Sequence, residues 1–278
     1  MSLLTYTFES QYLNGNTQVS VILPDKPRDV SPETFYRGGK RYKVLWLLHG
    51  TCGDNNDWIR RTNIELYAAE KNLAVVMPSA LNSNYSNWEE TMLGYNMYDY
   101  LTEELMPLIY GWFPVSDKRN DNFIAGLSMG GRGAIKYAVN HPERFAAAAV
   151  LSAVPVELSR MRCGDPNILL DLDNPRTMTT LKNAGGFEAF VHSNENVWAI
   201  LDEKVNTGEL PRLMFACGED DAVLYGLFCD FQKHAQEIGL KAHWYSLPGY
   251  GHEWRFWDLG IQEAIRFFGL DKECGGPY

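Results

Sequence analysis

FIAGLSMGGRGA, residues 123–134, sets a serine inside a glycine frame: Gly126-Leu127-Ser128-Met129-Gly130. The apolar run NFIAG (122–126) before it reads as a strand buried on both faces. Residues 130–140 after it read as a helix. A strand that passes directly into a helix must bend sharply. Side chains two positions before and two after the serine would then collide, which calls for glycine at 126 and 130. The serine is expected in a strained backbone conformation that projects its hydroxyl. The helix N-terminus points free N–H groups and the positive dipole end at the same place. Gly131 and Gly133 are expected to let the helix lie close to the sheet. The plainer reading is a structural turn whose serine caps the helix. The strand before and the helix after favour a nucleophile.

The runs flanking this stretch extend the pattern. TYTFE and TQVSVIL (17–23) read as strands, and the second stops at Pro24. KVLWLL (43–48), LAVVM (73–77), AAAAVLS (146–152), RLMFAC (212–217) and AHWYSL (242–247) are further strand candidates. Helical patterns lie between them. Tyr98, Leu101, Leu105, Leu108 and Ile109 make one apolar stripe, and 224–238 is another candidate helix. Asp258 is expected to cap a last helix that turns Ile261, Ala264, Ile265 and Phe268 inward. This alternation implies one α/β domain over 1–278, with a mostly parallel central sheet flanked by helices. Residues 155–210 separate two strands by far more than an ordinary connection, and are expected to form a small cap insertion over one end of the sheet. NVWAILDEK (196–204) would be a helix within it.

Composition narrows the function classes. The 278-residue chain carries a formal charge of −10 and no basic cluster, which argues against a nucleic-acid partner. The same balance weighs mildly against strongly anionic substrates. No apolar stretch is long enough to span a membrane. MSLLTYTFES lacks the basic start and apolar core of a secretory signal, so a cytoplasmic location is expected. The five cysteines, Cys52, Cys163, Cys217, Cys229 and Cys274, show no CxxC pair and no zinc-ligand spacing. They are expected to be reduced and partly core. No metal and no cofactor are expected, and self-association into a homo-oligomer is left open.

A serine hydroxyl needs a base. Of six histidines, His252 alone combines a Gly/Pro-rich loop (PGYGHEW) with a place after the last strand and downstream of the serine. An acid that fixes the imidazole should lie between the two in the chain. FACGEDDAV ends a strand with three acids. Asp221 is the first choice, since a G-x-x-D turn carries it beyond the strand end; Asp220 and Glu219 follow. The developing oxyanion needs N–H donors. Met129, just after the nucleophile, should supply one. Thr51 of HGTCGDNNDW should supply the other, with Cys52 as alternative. His49 is expected to support this loop rather than act as a base.

LLHGTCGDNNDW, VVMPSALNSNYSNW, YLTEELMPLI, FIAGLSMGGRGAIKYA, CGEDD and GYGHEW together resemble the esterase D/tributyrin esterase group of the α/β-hydrolase superfamily. That group includes carboxylesterases, feruloyl and acetyl-xylan esterases and S-formylglutathione hydrolases. The resemblance covers roughly residues 5–270. It implies an α/β-hydrolase fold, a Ser128–His252–Asp221 triad, an oxyanion hole at Thr51 and Met129, and no cofactor. Two departures stand out. HGTCG occurs where S-formylglutathione hydrolases are expected to have SGLTC-like residues. CGEDDAVLY is one residue longer than the CG-x-x-D-F-L-Y associated with tributyrin esterases, which keeps Asp220 in play.

The expected reaction is hydrolysis of short-chain acyl esters through an acyl-enzyme, with acetylated or feruloylated sugars among the small-molecule substrates. Trp58, Tyr85, Trp88 and Trp254 are expected to line the pocket, core packing being the plainer role for each. Two alternatives remain: a thioesterase such as an S-formylglutathione hydrolase, and a non-catalytic binding member of the same fold.

Overall fold

The computed structural model describes residues 1–89 and 93–270; Cys274 lies outside them. The strands are β1 (Ser2–Ser10), β2 (Gly15–Leu23), β3 (Val44–Leu48), β4 (Ala74–Pro78), β5 (Asn87–Trp88), β6 (Tyr95–Asn96), β7 (Asn122–Leu127), β8 (Ala147–Leu151), β9 (Arg212–Gly218) and β10 (Ala242–Leu247). Eight of them form one sheet in the order β1-β2-β4-β3-β7-β8-β9-β10, and β5 and β6 make a separate hairpin. β1 and β2 pair antiparallel, as do β2 and β4. Every other neighbour in the large sheet is parallel.

The continuous apolar runs of β3, β4, β7 and β8 are explained by burial on both faces, whereas β10, at the sheet edge, is half-buried throughout. In β3, Val44, Trp46 and Leu48 face one core layer and Leu45 and Leu47 the other. The first layer holds Ile135, Ala138 and Val139 of the helix Met129–Asn140. The second holds Ile261, Ala264 and Ile265 of the last helix, Trp254–Phe267. That helix starts five residues earlier than a cap at Asp258 suggests, with Glu253 at its N-cap position. Asp258 instead accepts hydrogen bonds from the Asn63 N–H at 3.3 Å and the Tyr67 hydroxyl at 3.1 Å. The apolar residues Phe256 and Trp257 extend the buried stripe backward and draw the start of the helix with them.

The long stretch between β8 and β9 contains helices Pro175–Asn183, Phe187–Val191 and Val197–Lys204. It is tied to the helix Met129–Asn140 by polar contacts. Lys136 Nζ donates to Glu195 at 2.7 Å, Asn140 Nδ2 to the Asn194 carbonyl at 3.1 Å, and Lys204 Nζ to the Val139 carbonyl at 2.9 Å. Among the described residues, no helix is long and apolar enough to cross a membrane. Cys52, Cys163, Cys217 and Cys229 are free thiols, and of these Cys217 alone is buried.

Candidate active site

The parallel sheet presents the C-terminal ends of β3, β7, β8 and β9 along one edge, where open α/β sheets bind ligands. Ser128 stands there, between β7 and the helix Met129–Asn140, at φ 53° and ψ −117°. A non-glycine residue held in that region stores strain that the surroundings must over-determine. They do so through close backbone approach. A Cβ on Gly126 would lie 2.3 Å from the Gly130 carbonyl oxygen, and one on Gly130 would lie 2.4 Å from that of Leu48. Gly131 lies against the sheet as expected, near the Leu151 carbonyl. Gly133 does not: its open side faces the Tyr85 ring, 2.7 Å from where a Cβ would stand.

His252 Nε2 lies 3.0 Å from Ser128 Oγ, and its Nδ1 lies 2.7 Å from Asp221 Oδ2. The other Asp221 oxygen accepts the Val223 and Leu224 N–H groups at 3.2 and 3.1 Å. Burial pushes the Asp221 carboxyl upward, but the bond and charge of His252 and the two backbone donors bring it below the usual aspartate value of 3.8. An ionised Asp221 makes His252 Nδ1 the protonated nitrogen and leaves Nε2 to accept from the serine. Of the neighbouring acids, Glu219 accepts from the Ser246 hydroxyl at 2.8 Å, and the backbone N–H of Asp220 bonds the Tyr250 carbonyl. The G-x-x-D turn thus aims Asp221, and not Asp220, at the imidazole.

The loop after β3 passes beside Ser128. Thr51 and Met129 line the same small cavity as Ser128, of about 60 Å³. Met129 is the first residue of its helix, so its N–H has no intrahelical acceptor. The Cys52 N–H is taken, donating to Asn82 Oδ1 at 2.7 Å, and this removes it as an oxyanion donor. His49 is locked: its Nε2 accepts the Ala80 N–H at 2.9 Å and its Nδ1 meets the Gly50 carbonyl at 2.7 Å. Burial holds its imidazole below the ordinary value of 6.5, so it stays neutral and pins the loop.

The Esterase family profile matches residues 10–225 of this chain. The chain belongs to the Esterase family.

Full-length relatives agree. The acetyl esterase of Caldicellulosiruptor saccharolyticus is 28% identical over 276 residues, 96% of this chain and 98% of that one. Among solved structures, the fluorophosphonate-binding serine hydrolase F of Staphylococcus aureus is 29% identical with a TM-score of 0.78, covering 98% of this chain and 99% of that one. An S-formylglutathione hydrolase of Staphylococcus aureus is 30% identical with a TM-score of 0.77, covering 96% and 98%. The fold of this esterase is the α/β-hydrolase fold, and the chain is a carboxylic ester hydrolase.

Trp58, Tyr85, Trp88 and Trp254 are not among the described residues that line the small cavity at Ser128 or the larger one adjoining it in this esterase. Buried indole and phenol groups need acceptors for their N–H and O–H, and these find backbone carbonyls. Trp58 donates to Leu48 O at 3.1 Å, Tyr85 to His49 O at 3.1 Å and Trp88 to Ser83 O at 2.9 Å. Those of Leu48 and His49 lie at and just past the end of β3, so Trp58 and Tyr85 hold the start of the following loop from behind. Trp254 packs edge-on against Trp58, with ring centroids 5.4 Å apart. The larger cavity, about 230 Å³, is lined instead by the segment between β8 and β9 and by Arg132, Ile135 and Lys136. Arg132 and Arg176, which the sequence did not single out, border both cavities. Arg132 carried one signal: a cation four residues into a helix, near its positive dipole end, is unfavourable without another reason.

Proposed function

We propose that this esterase hydrolyses short-chain acyl esters through an acyl-enzyme on Ser128. The reading is carried by one observation, the unbroken hydrogen-bonded chain from Asp221 through His252 to Ser128. His252 Nε2 takes the serine proton as Oγ attacks the ester carbonyl. The tetrahedral oxyanion is held by the N–H groups of Thr51 and Met129; losing one such donor would cost roughly a hundred- to a thousandfold. The alcohol leaves with the proton from His252. Water then repeats the sequence on the acyl-serine and releases the acid. Residues 155–210 act as a cap whose apolar side chains, Leu158, Met161 and Leu169 among them, enclose a cavity of about 230 Å³ suited to a short acyl chain. Acetylated or feruloylated sugar fragments fall within this substrate class. Unpaired Cys52, Cys163 and Cys229, all exposed, favour a reducing compartment and hence the cytoplasm.

A thioester reading is favoured by the 30% identity to an S-formylglutathione hydrolase over nearly the whole of both chains. The deciding experiment is hydrolysis of p-nitrophenyl esters from acetate to decanoate, with methyl ferulate, an acetylated xylo-oligosaccharide and S-formylglutathione, by wild type and Ser128→Ala. Activity that peaks at short acyl esters and vanishes in the variant is expected. A rate on S-formylglutathione far above every ester would replace the ester reading with the thioester one. Ester hydrolysis persisting in folded Ser128→Ala would refute the nucleophile.

A further inference from the structure

The small cavity at Ser128 and the larger one adjoining it share Asn84, Leu169, Arg132 and Arg176, so two arginines stand at the throat between them. Among the described residues neither is hydrogen-bonded to a carboxylate, and only the negative charge of Glu195 acts on Arg132 from a distance. Arg176 donates to neutral oxygens, Thr51 Oγ1 at 2.7 Å and Asn84 Oδ1, while its Nε is buried without a partner. Among the described residues, the Arg132 guanidinium makes no hydrogen bond or ion pair. Among the described residues, the one carboxylate on the larger cavity, Glu195, is engaged 2.7 Å from Lys136, and no acid lines the smaller one.

Burial pulls both guanidinium groups below the ordinary arginine value; for Arg132 the charge of Arg176 adds to the effect and that of Glu195 opposes it. Arginine does not release its proton near neutral pH. The repulsion therefore stays in the free protein, where a bound anion would relieve it. A tether from residue 176 to the oxyanion loop would explain Arg176 by itself. It would not place a second, unpartnered arginine opposite.

We propose that this throat is an anion subsite, in which Arg132 and Arg176 take a carboxylate carried on the ester substrate a few bonds from the reacting carbonyl. Two guanidinium forks match the two carboxylate oxygens, and such charge-assisted bonds are the strong ones. The chain's net charge of −10 acts from a distance and is screened beyond roughly 10 Å, so the local pair decides. The subsite deepens the esterase reading and rests on Ser128 as nucleophile.

The carboxylate can sit on the acyl or the alcohol part, and two matched substrate pairs separate these sources. Monomethyl glutarate against methyl 4-carbamoylbutanoate places it on the acyl part; 3-acetoxypropanoate against 3-acetoxypropanamide places it on the alcohol part. The readout is the charged-to-neutral ratio of kcat/KM for wild type, Arg132→Gln, Arg132→Lys and Arg176→Gln, each checked for folding by its thermal transition. Wild type is expected to prefer the charged member of one pair, less so with added salt. Either glutamine substitution should cut that ratio about ten- to a hundredfold, with Arg132→Lys falling between. No charge preference in wild type, or a preference that survives both glutamine variants, overturns the subsite. Neutral-ester hydrolysis without charge preference overturns it alone, whereas no hydrolysis of any ester overturns the esterase reading with it.

Discussion

The imidazole of His252 meets the indole of Trp257 edge to face, with ring centroids 5.0 Å apart and planes at 87°. Trp257 is itself held by a 2.9 Å hydrogen bond from its Nε1 to Ser152 Oγ, just past the end of β8. The imidazole is thus held from two directions: Asp221 Oδ2 meets its Nδ1, and Trp257 walls its ring.

Replacing Trp257 tests that wall. Trp257→Phe keeps an aromatic surface and loses the bond to Ser152, at a cost of about 1 kcal/mol in stability. Trp257→Ala should cost about 3–5 kcal/mol and lower kcat about ten- to a hundredfold with little change in KM, because the base is misplaced while the pocket is intact. Urea unfolding and steady-state kinetics on p-nitrophenyl acetate provide the numbers. A kcat for the alanine variant equal to wild type would show that Asp221 positions the ring unaided.

Asp221 should be distinguishable from its neighbours by rate and by pH. Asp221→Asn presents the wrong tautomer and should lower kcat by about ten thousandfold, whereas Asp220→Asn and Glu219→Gln should stay close to wild type. The Asp221 carboxyl titrates lower in the folded protein than in the unfolded chain, so its stabilisation is complete above the unfolded value near 3.8. It is lost as pH falls through the folded value. The stability gap between wild type and Asp221→Asn should be constant from neutral pH down to about 5 and should close below the unfolded value. Urea melts across that range would expose the opposite trend.

Lys136 and Glu195 join the helix after Ser128 to the segment between β8 and β9, with side-chain exposures of 3% and 17%. Ser86 Oγ and the Asn84 carbonyl complete the lysine's shell at 2.8 and 3.2 Å. Lys136→Met leaves a largely buried carboxylate unpaired and should cost about 3–5 kcal/mol. Adding Glu195→Gln should recover a good part of that. Single and double variants compared by thermal unfolding form the test. A double variant as unstable as the sum of two large single losses would mean that the pair is not coupled.

Cys52 is exposed in a left-handed conformation, φ 61°, next to Thr51, which lines the cavity at Ser128, and its Sγ lies 3.9 Å from Asn82 Nδ2. Carboxamidomethylation should obstruct the mouth of the small cavity and lower kcat/KM at least about tenfold. Cys52→Ala should resist iodoacetamide, although Cys163 and Cys229 remain exposed to it. Equal inactivation of wild type and Cys52→Ala would shift the sensitive thiol elsewhere.

The amino-acid sequence alone determined what depends on local backbone and periodicity. Ser128 was legible because a strand, a sharp turn and a helix are written in consecutive residues, with glycine where a Cβ has no room. The parallel sheet was legible because strands buried on both faces must be apolar at every position. His252 followed from a loop placed after the last strand. Tertiary structure decided what depends on direction and on partners far along the chain. Asp220 and Asp221 are adjacent in the chain, and the turn at Gly218 chooses between them. The Cys52 N–H was excluded only by Asn82, thirty residues on. Trp58 and Tyr85 look like pocket walls until their donors are seen bonded to the carbonyls of Leu48 and His49. Arg132 and Arg176 lie 44 positions apart, and no pattern in the chain sets them at one throat. Local sterics is readable residue by residue, whereas the pairing of charges and donors across a fold is settled only where the packed elements bring them.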